Sequence, residues 1–172
     1  VSTNVSSLGA QFVDQNAGTG KGVTLTGVTL SGTDAGNYTV ANVAGLTGNI
    51  TAKTLTINGS SIANKVYDGA TSAVVTTGTL VGLIGNETLG VTGAASFGSA
   101  NVGTYTMSTA YTLADAGMGS TAGLASNYQI ANQNLSAAIT PKSLSVSGLS
   151  VTTKTYDANT TATVTGSGTL SG

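Results

Sequence analysis

The sequence lacks cysteine, histidine, arginine and tryptophan, and it contains a single proline. Without cysteine it can form no disulfide, no thiolate zinc site and no iron–sulfur cluster, and it has no thiol nucleophile. Without histidine it lacks the commonest general base and metal ligand. Its five lysines face six acidic residues, for a net charge of −1. The basic stripe that nucleic-acid binding requires is therefore absent.

Charged and aromatic side chains are also scarce, at 6% and 5% of the 172 residues. A mean hydropathy of +0.23 with so little charge is the wrong signature for a disordered chain. Val and Thr favour strands, Gly and Asn favour turns, and strong helix formers are rare. No run approaches the roughly 18 apolar residues of a membrane-spanning helix. We therefore expect an all-β fold with a core of Val, Leu, Ile and Ala and no membrane span.

The first residues, Val1-Ser2-Thr3-Asn4, include no Met, no basic segment and no apolar run, so they do not read as a signal peptide. We expect the chain to be a segment of a longer protein. A polar, uncharged β chain rich in Thr, Asn and Gly is typical of exported bacterial surface proteins. The composition thus favours an extracellular or cell-surface location over a cytosolic one.

An internal repeat organises the sequence. Residues 50–55 (ITAKTL) return 89 positions later at 139–144 (ITPKSL), and residues 65–71 (KVYDGAT) return by the same shift at 154–160 (KTYDANT). Shorter matches agree, since Asn37-Tyr38 returns as Asn127-Tyr128, and Asn16 followed by Gly18-Thr19 returns as Asn101 followed by Gly103-Thr104. A unit of this length fits a self-contained domain better than a solenoid rung.

The phase of the repeat predicts three pieces. Residues 1–52 match the later part of one repeat, residues 53–141 form one complete repeat, and residues 142–172 match the opening of a third. The two end pieces together would make nearly one more repeat. We therefore consider that the end piece of one chain completes the initial piece of another, giving an end-to-end fibre.

Short runs of alternating apolar and polar residues, separated by Gly or Asn, indicate antiparallel strands with one buried face. Such runs occur at residues 23–26, 28–30, 38–40, 55–57, 73–75, 105–107, 128–130 and 144–146. The predicted architecture is a series of tandem antiparallel β-sandwich repeats of immunoglobulin-like type. The alternative is a β-grasp-like mixed sheet with one short helix, for which residues 113–124 are the candidate segment.

Two local motifs recur and are the candidate site residues. The first comprises Lys65, Tyr67, Asp68 and Gly69, with Lys154, Tyr156 and Asp157 in the next copy. Asp-Gly favours a turn with a positive φ at glycine. By alternation we expect Tyr67 and Tyr156 to point inward. The favoured interpretation is structural, with tyrosine at the edge of the core and aspartate capping a turn; the alternative is a ligand platform.

The second motif is the segment from Asp34 through Gly36 to Tyr38, whose Asp-x-Gly-x-Tyr pattern is that of an immunoglobulin tyrosine corner. Val40 would then take the core position two residues later. The second copy keeps Tyr128 but loses the Asp and Gly, so the corner is weaker there. A turn before an ordinary strand explains both copies nearly as well.

The KVYDGAT segment resembles the signature of the YDG-type repeat, found in tandem in large secreted bacterial adhesins that resemble filamentous haemagglutinin and are exported by two-partner secretion. Other elements agree in order and spacing: residues 34–39, 78–82, 95–104 and 139–142. The sequence departs from the pattern at Ala158, where glycine is expected, and before Tyr128. The resemblance implies extracellular, cell-surface or matrix material and carries no catalytic residues.

We expect no enzyme activity and no cofactor or metal, because the acidic residues are few and spread along the chain rather than clustered. The predicted function is a structural stalk or matrix-fibre segment of a secreted adhesin. Its expected partners are neighbouring repeats and other copies of the chain. The alternative is an adhesive module that binds a surface glycan or a host protein through exposed tyrosines.

Overall fold

The computed structural model describes residues 2–4, 9–27, 29–40, 45–118 and 122–172. These residues form an all-β structure, as predicted. The strands in chain order are β1 (Ser2–Asn4), β2 (Gly9–Phe12), β3 (Gly18–Thr26), β4 (Thr29–Ser31), β5 (Thr47–Ile50), β6 (Lys53–Asn58), β7 (Ser61–Ile62), β8 (Lys65–Val66), β9 (Val75–Thr76), β10 (Thr79–Val81), β11 (Leu89–Ala94), β12 (Gly103–Asp115), β13 (Tyr128–Ile130), β14 (Gln133–Thr140), β15 (Ser145–Ser147), β16 (Ser150–Val151), β17 (Val164–Thr165) and β18 (Thr169–Ser171).

Strands β6 to β14 form two larger sheets and one two-stranded sheet. One sheet has the order β10-β6-β13, the other has the order β11-β12-β14-β8, and β7 pairs with β9. The side chain of Gln133 links the two sheets by donating a hydrogen bond to the carbonyl of Ile57 at 2.7 Å. All of these strands lie within residues 53–141, the segment that the sequence predicts as one complete repeat.

The core follows the alternation of the strands. In β6, Leu55 and Ile57 are buried while their neighbours are exposed. In β12, Met107, Thr109 and Tyr111 point inward in the same way. A hydrophobic cluster then joins five residues from four parts of the repeat: Ile62, Phe97, Met107, Ala137 and Ile139. Since aromatic residues are few, Phe97 supplies the largest side chain of this cluster, and the Tyr105 ring meets it edge-on at 5.8 Å.

Two ladders in this repeat are parallel, whereas the sequence predicted antiparallel pairing. Strand β13 runs parallel to β6, with Tyr128 opposite Lys53, and β8 runs parallel to the end of β14, with Lys65 opposite Ile139. Parallel pairing requires a long connection and leaves no local sequence signal. Mixed sheets are a feature of the β-grasp-like alternative, and the immunoglobulin-like assignment stays a prediction.

Helical structure in the described residues is limited to single 3₁₀ turns at Ala35–Asn37 and Ala125–Asn127. The candidate helix segment 113–124 instead begins with the end of β12, and its residues 119–121 lie outside the described residues. None of the helical turns in the described ranges is long and apolar enough to cross a membrane.

The sequence repeat is also visible in the strand pairing, because residues at equivalent positions pair in the same way in different copies. Ile57 of β6 pairs with Leu80 of β10, and Val146 of β15 pairs with Leu170 of β18 at the equivalent positions. The antiparallel pairing of β7 with β9 is reproduced by β16 and β17. In the first piece, Gly18 pairs with Ile50 as Gly103 pairs with Ile139. The boundaries at residues 52/53 and 141/142 themselves stay predictions.

Candidate functional site

The YDG motif folds into a turn held by a lysine–aspartate pair. Lys65 Nζ lies 2.7 Å from Asp68 Oδ1 and donates to the carbonyl of Ala70 at 2.7 Å. Asp68 Oδ1 in turn accepts the backbone N–H of Ala70 at 2.9 Å. The hydrogen bond from Lys65 is the main reason that the pKa of Asp68 lies below its usual value. Gly69 has a φ of +77°, as the Asp-Gly turn predicts.

The next copy of the motif keeps this arrangement. Lys154 Nζ lies 2.9 Å from Asp157 Oδ1 and also reaches the backbone carbonyl of Asn159 at 2.8 Å. The hydrogen bond from Lys154 is again the main cause of a lowered pKa, here that of Asp157. Ala158 stands where the second repeat has Gly69, and it still adopts a positive φ of 59°. The turn geometry is thus retained without glycine, at the cost of a left-handed alanine.

The prediction that the two motif tyrosines point inward is wrong. Tyr67 is 42% exposed and Tyr156 is 92% exposed. Strand β8 ends at Val66, so the alternation on which the prediction depended stops before Tyr67. The residue turned towards the core is instead Lys65, whose Nζ lies 5.7 Å from the centre of the buried Phe97 ring. The charge stays paired with Asp68 while the aliphatic stem covers the core.

The two tyrosines of the corner motif have opposite environments. Tyr128 is buried, its hydroxyl accepts the backbone N–H of Ile84 at 3.1 Å, and it donates to Glu87. Burial, followed by the hydrogen bond with Glu87, raises the pKa of Tyr128 above its usual value. Tyr38 is exposed, and so is Val40, which was expected in the core. Neither copy forms the local corner that the motif predicts, because Tyr38 is exposed and Tyr128 bonds a residue 44 positions away.

Asp34 and Gly36 lie at a turn, as the alternative to the tyrosine corner predicts, but neither side-chain capping nor a positive φ is part of it. Asp34 precedes the 3₁₀ turn at Ala35–Asn37, but its side chain does not cap that turn. The turn instead closes through backbone bonds, from the N–H of Asn37 to the carbonyl of Asp34 at 3.0 Å and from the N–H of Tyr38 to the carbonyl of Ala35 at 3.2 Å. Gly36 does not have a positive φ, so the turn does not require glycine there.

A local tyrosine corner exists elsewhere, at a residue that the sequence did not single out. The hydroxyl of Tyr105 donates to the carbonyl of Asn101, four residues upstream, at 2.8 Å. This is the geometry that the immunoglobulin corner uses. It fixes the loop before β12, whose residues Asn101 and Val102 also line a groove at the end of the complete repeat. The sequence signal was the recurring Asn-x-Gly-Thr segment.

The first two repeats meet through a pair of asparagines. Asn127 Oδ1 accepts the backbone N–H of Ala17 at 2.7 Å, and Asn127 Nδ2 donates to Asn16 Oδ1 at 3.1 Å. We call these three residues the inter-repeat clasp. A cavity of about 290 Å³ lies beside it, with Lys53, Glu87 and Tyr128 in its lining. Asn16 and Asn127 belong to recurring segments of the sequence, but their contact could not be derived from either segment alone.

An open groove of about 530 Å³ lies where the chain leaves the complete repeat after β14. It is lined by Tyr67, Asn101, Val102, Pro141, Lys142 and Leu144, and we call it the junction groove. Asn101 and Val102 are the repeat equivalents of Asn16 and Ala17 in the clasp. At the junction groove, Asn101 and Val102 thus hold the positions that Asn16 and Ala17 hold at the first junction, and the groove lining in the described residues includes no equivalent of Asn127.

The acidic side chains of the described residues mainly stabilise turns. Asp14, Asp68 and Asp157 each pair with a lysine, Glu87 accepts from Tyr128, and Asp115 accepts the backbone N–H of Ala125 at 2.6 Å. In the part of the chain that the structure describes, no group of three or more acidic residues is placed to hold a metal ion. The chemistry that the arrangement supports is hydrogen bonding between strands and between repeats.

The comparisons with known proteins agree with the sequence motifs. The sequence model of the YDG domain matches residues 1–45 and 51–135, which is most of the chain. The search of curated proteins and the search of solved structures give no match. The matched ranges include the Lys65–Asp68 turn, the clasp residues and β13. By this match, the chain belongs to the YDG domain family.

Proposed function

We propose that the chain is a load-bearing structural segment, a stalk or matrix fibre, of a secreted bacterial surface adhesin of the filamentous-haemagglutinin-like type. The observation that carries this proposal is the pair of parallel ladders in residues 53–141. They join the first strand of the repeat, β6, to β13 and join β8 to the last strand, β14. Tension on the two ends of the repeat acts first on β6 and on β14. The two ladders therefore join the first strand of the repeat to a strand near its end, and the last strand to one near its beginning.

Parallel ladders between the two ends of a repeat resist tension well. Tension pulls β6 from its first residue, and it pulls β13, through β14, from its last residue. Because the two strands are parallel, these forces slide one strand along the other and load all of the ladder's hydrogen bonds together. An antiparallel pair pulled from one end would open one bond at a time. The clasp of Asn16, Ala17 and Asn127 supports transmission of load from one repeat to the next.

The test is single-molecule stretching of the full chain through its two ends. We expect a rupture that releases about 300 Å, the extended length of a repeat of roughly 90 residues. A variant with Thr54→Cys and Gln129→Cys places a disulfide across the parallel ladder, at residues that lie directly opposite each other. When oxidised, it should prevent the rupture or shorten the release by the 75 residues between the two positions.

A second engineered disulfide, or clamp, is the matched control that distinguishes the load-bearing ladder from the rest of the fold. Thr92→Cys with Thr112→Cys joins directly opposite residues of the antiparallel pair β11 and β12, away from the line of force. Its oxidised form should keep the rupture force and shorten the release by only 20 residues. Extension of the unmodified chain without a rupture, or equal strengthening by both clamps, would contradict the load-bearing function.

A second candidate, binding to a surface glycan or host protein, is favoured by the exposure of Tyr67 and Tyr156. Exposed aromatic rings offer stacking surfaces that a purely structural tyrosine would not. Tyr67→Ala and Tyr156→Ala should then abolish retention on a glycan array or on host cells while circular dichroism remains that of the unmodified chain. Retention that is absent in the unmodified chain, or unchanged in both variants, would rule out this candidate.

A further inference from the structure

The cavity beside the inter-repeat clasp carries one charge of each sign. Its charged lining side chains are Lys53 and Glu87. No ion pair among the described residues includes either of them, since those pairs form at Lys21, Lys65 and Lys154. The cavity wall therefore presents an ammonium group and a carboxylate that do not pair with each other.

Glu87 is held in place from two sides. The hydroxyl of the buried Tyr128 donates to Glu87 Oε2, and the same hydroxyl accepts the N–H of Ile84 at 3.1 Å. The backbone N–H of Glu87 also donates to the carbonyl of Ile84 at 3.1 Å. A carboxylate accepts up to about four hydrogen bonds, so Tyr128 leaves room for the donors of a ligand. A group positioned in advance loses little freedom when a ligand binds.

Lys53 supplies the opposite charge from the neighbouring strand. It begins β6 and lies opposite Tyr128 in the parallel ladder. Alternation places its side chain on the same face of β6 as the buried Leu55. The side chains of Lys53 and Tyr128 therefore share one face of the sheet, and the flexible lysine stem can direct its ammonium group into the cavity that Glu87 also lines.

The rest of the wall combines an aliphatic surface with side-chain amides. Ile50 and Ile84 supply the aliphatic surface, and Ile84 is 56% exposed. Gln15 and Asn127 supply amides, which both donate and accept hydrogen bonds. A volume of about 290 Å³ equals that of about ten water molecules in the liquid. The cavity therefore suits a small molecule with two opposite charges and a short apolar group.

We propose that this cavity binds a free α-amino acid with an aliphatic side chain, such as leucine. Lys53 binds the carboxylate of the amino acid, Glu87 binds its ammonium group, and Ile50 and Ile84 contact its side chain. A neutral molecule would leave both charges without a partner, and a simple anion would meet Glu87 with the same sign. The zwitterion satisfies the whole wall. This inference goes beyond the load-bearing function and does not depend on it.

The bound amino acid would also join two repeats. Gln15 and Ile50 belong to the first piece of the chain, whereas Lys53 and Glu87 belong to the complete repeat. A ligand that contacts both sides stabilises the closed junction by its binding free energy. The N–H of Ala17 reports on this junction, because it donates to Asn127 in the clasp. Its hydrogen exchange should therefore become slower when the cavity is occupied.

Titration of the full chain with L-leucine, followed by residue-specific amide chemical shifts, tests the site. We expect saturable shifts at Ala17, Ile50, Lys53 and Glu87, with a dissociation constant of about 1 mM or lower. Two analogues test the two charges separately. Leucinamide lacks the carboxylate and 4-methylpentanoate lacks the ammonium group, so each should bind at least about tenfold more weakly than leucine.

Two variants test the two side chains. Lys53→Met removes the ammonium group, and Glu87→Gln removes the charge while keeping an acceptor for the Tyr128 hydroxyl. Each should weaken leucine binding at least about tenfold with an unchanged circular dichroism spectrum. Lys142→Met is the matched control, because Lys142 is the repeat equivalent of Lys53 and does not line this cavity; it should leave the affinity unchanged.

Three results would overturn the amino-acid site. These are the absence of saturable shifts with leucine, equal affinity for leucine and leucinamide, and equal affinity of leucine for Lys53→Met and Lys142→Met. None of them would affect rupture of residues 53–141, which tests the load-bearing function separately.

Discussion

The hydroxyl of Tyr128 accepts the backbone N–H of Ile84 at 3.1 Å, across 44 residues of sequence. The same hydroxyl donates to Glu87, so one phenol holds both Ile84 and Glu87 of the loop between β10 and β11. Tyr128 is also the first residue of β13 in the parallel ladder with β6. The loop and the load-bearing ladder are thereby fixed to each other at a single side chain.

We predict that Tyr128→Phe lowers the free energy of unfolding of the complete repeat by about 1–2 kcal/mol. The substitution keeps the buried ring but leaves the N–H of Ile84 and the carboxylate of Glu87 without this partner. Urea denaturation followed by circular dichroism measures the change. Tyr38→Phe is the matched control from the preceding repeat, because Tyr38 is exposed, and it should shift stability by less than about 0.5 kcal/mol. Equal effects of the two substitutions would contradict the role of Tyr128.

The turn at Gly69 predicts opposite effects for two reciprocal substitutions. A Cβ added at Gly69 meets nothing within 4 Å, so its φ of +77° is the only obstacle to a side chain. Gly69→Ala should therefore cost about 1–2 kcal/mol, the penalty of a left-handed L-residue. Ala158→Gly should remove a similar strain from the next copy. Thermal denaturation reports the first change, and amide exchange across residues 154–159 reports the second.

Gly36→Ala is the control for these substitutions. Gly36 also has nothing within 4 Å of an added Cβ, but its φ is not positive. Its replacement should leave stability within about 0.5 kcal/mol of the unmodified chain. A loss at Gly36 as large as that at Gly69 would show that backbone conformation does not explain the Gly69 effect.

Acid should weaken the motif turn through Asp68. The pKa of this carboxylate lies below the usual 3.8 because Lys65 donates a hydrogen bond to it. The stability it contributes is present above the pKa of the unfolded state and is lost as the pH falls through the lower pKa of the folded state. We expect the urea concentration at the unfolding midpoint to decrease as the pH is lowered below about 4. The decrease should be smaller in Asp68→Asn, which keeps the acceptor for Ala70.

The control for the acid prediction is Asp34→Asn, since the side chain of Asp34 makes no capping bond. It should retain the full pH dependence of the unmodified chain. High salt should reduce the contribution of Asp68, because the pair is partly exposed and therefore screened. A pH profile that is identical in Asp68→Asn and the unmodified chain would contradict the assignment.

Thr109 predicts a stabilising substitution in β12. Its side chain is fully buried, and no group in the described structure forms a hydrogen bond with its hydroxyl. Thr109→Val removes the uncompensated hydroxyl while keeping the branched shape, so it should raise the free energy of unfolding by about 1 kcal/mol. Thr106→Val is the control on the same strand, because the Thr106 hydroxyl bonds Ser136 at 2.8 Å. That variant should show no gain in urea denaturation.

Alternation and the repeat predicted much of the fold. Leu55-Thr56-Ile57 and Tyr105-Thr106-Met107 lie in β6 and β12 with their apolar residues inward. The sequence repeat also reappears in the structure, because equivalent residues pair in β6 with β10 and in β15 with β18. Alternation is a local pattern, and the repeat is found by comparing the sequence with itself. A single sequence therefore contains both signals. The parallel pairing of Tyr128 with Lys53 joins residues 75 positions apart, and no local pattern encodes it.

The candidate site was harder to predict for the same reason. Tyr38-Thr39-Val40 has the same alternation as Tyr128-Gln129-Ile130, yet only the second segment forms a strand and has a buried tyrosine. The difference lies in the partner strand and not in the segment. Tyr67 was misjudged because β8 ends one residue earlier, at Val66. Where burial depends on a distant strand or on an element of two residues, residue pattern alone is insufficient.

The lysine–aspartate pairs also determine where a protease can act. Trypsin must draw a lysine side chain into its specificity pocket, and Lys21, Lys65 and Lys154 are each held by an aspartate. Lys53 lies in β6 opposite Tyr128, whereas Lys142 is exposed in a segment outside the described ladders. Digestion of the monomeric chain should therefore begin after Lys142 and separate the last 30 residues from the complete repeat. A digestive enzyme would thus cut at the seam between repeats and leave the folded unit whole.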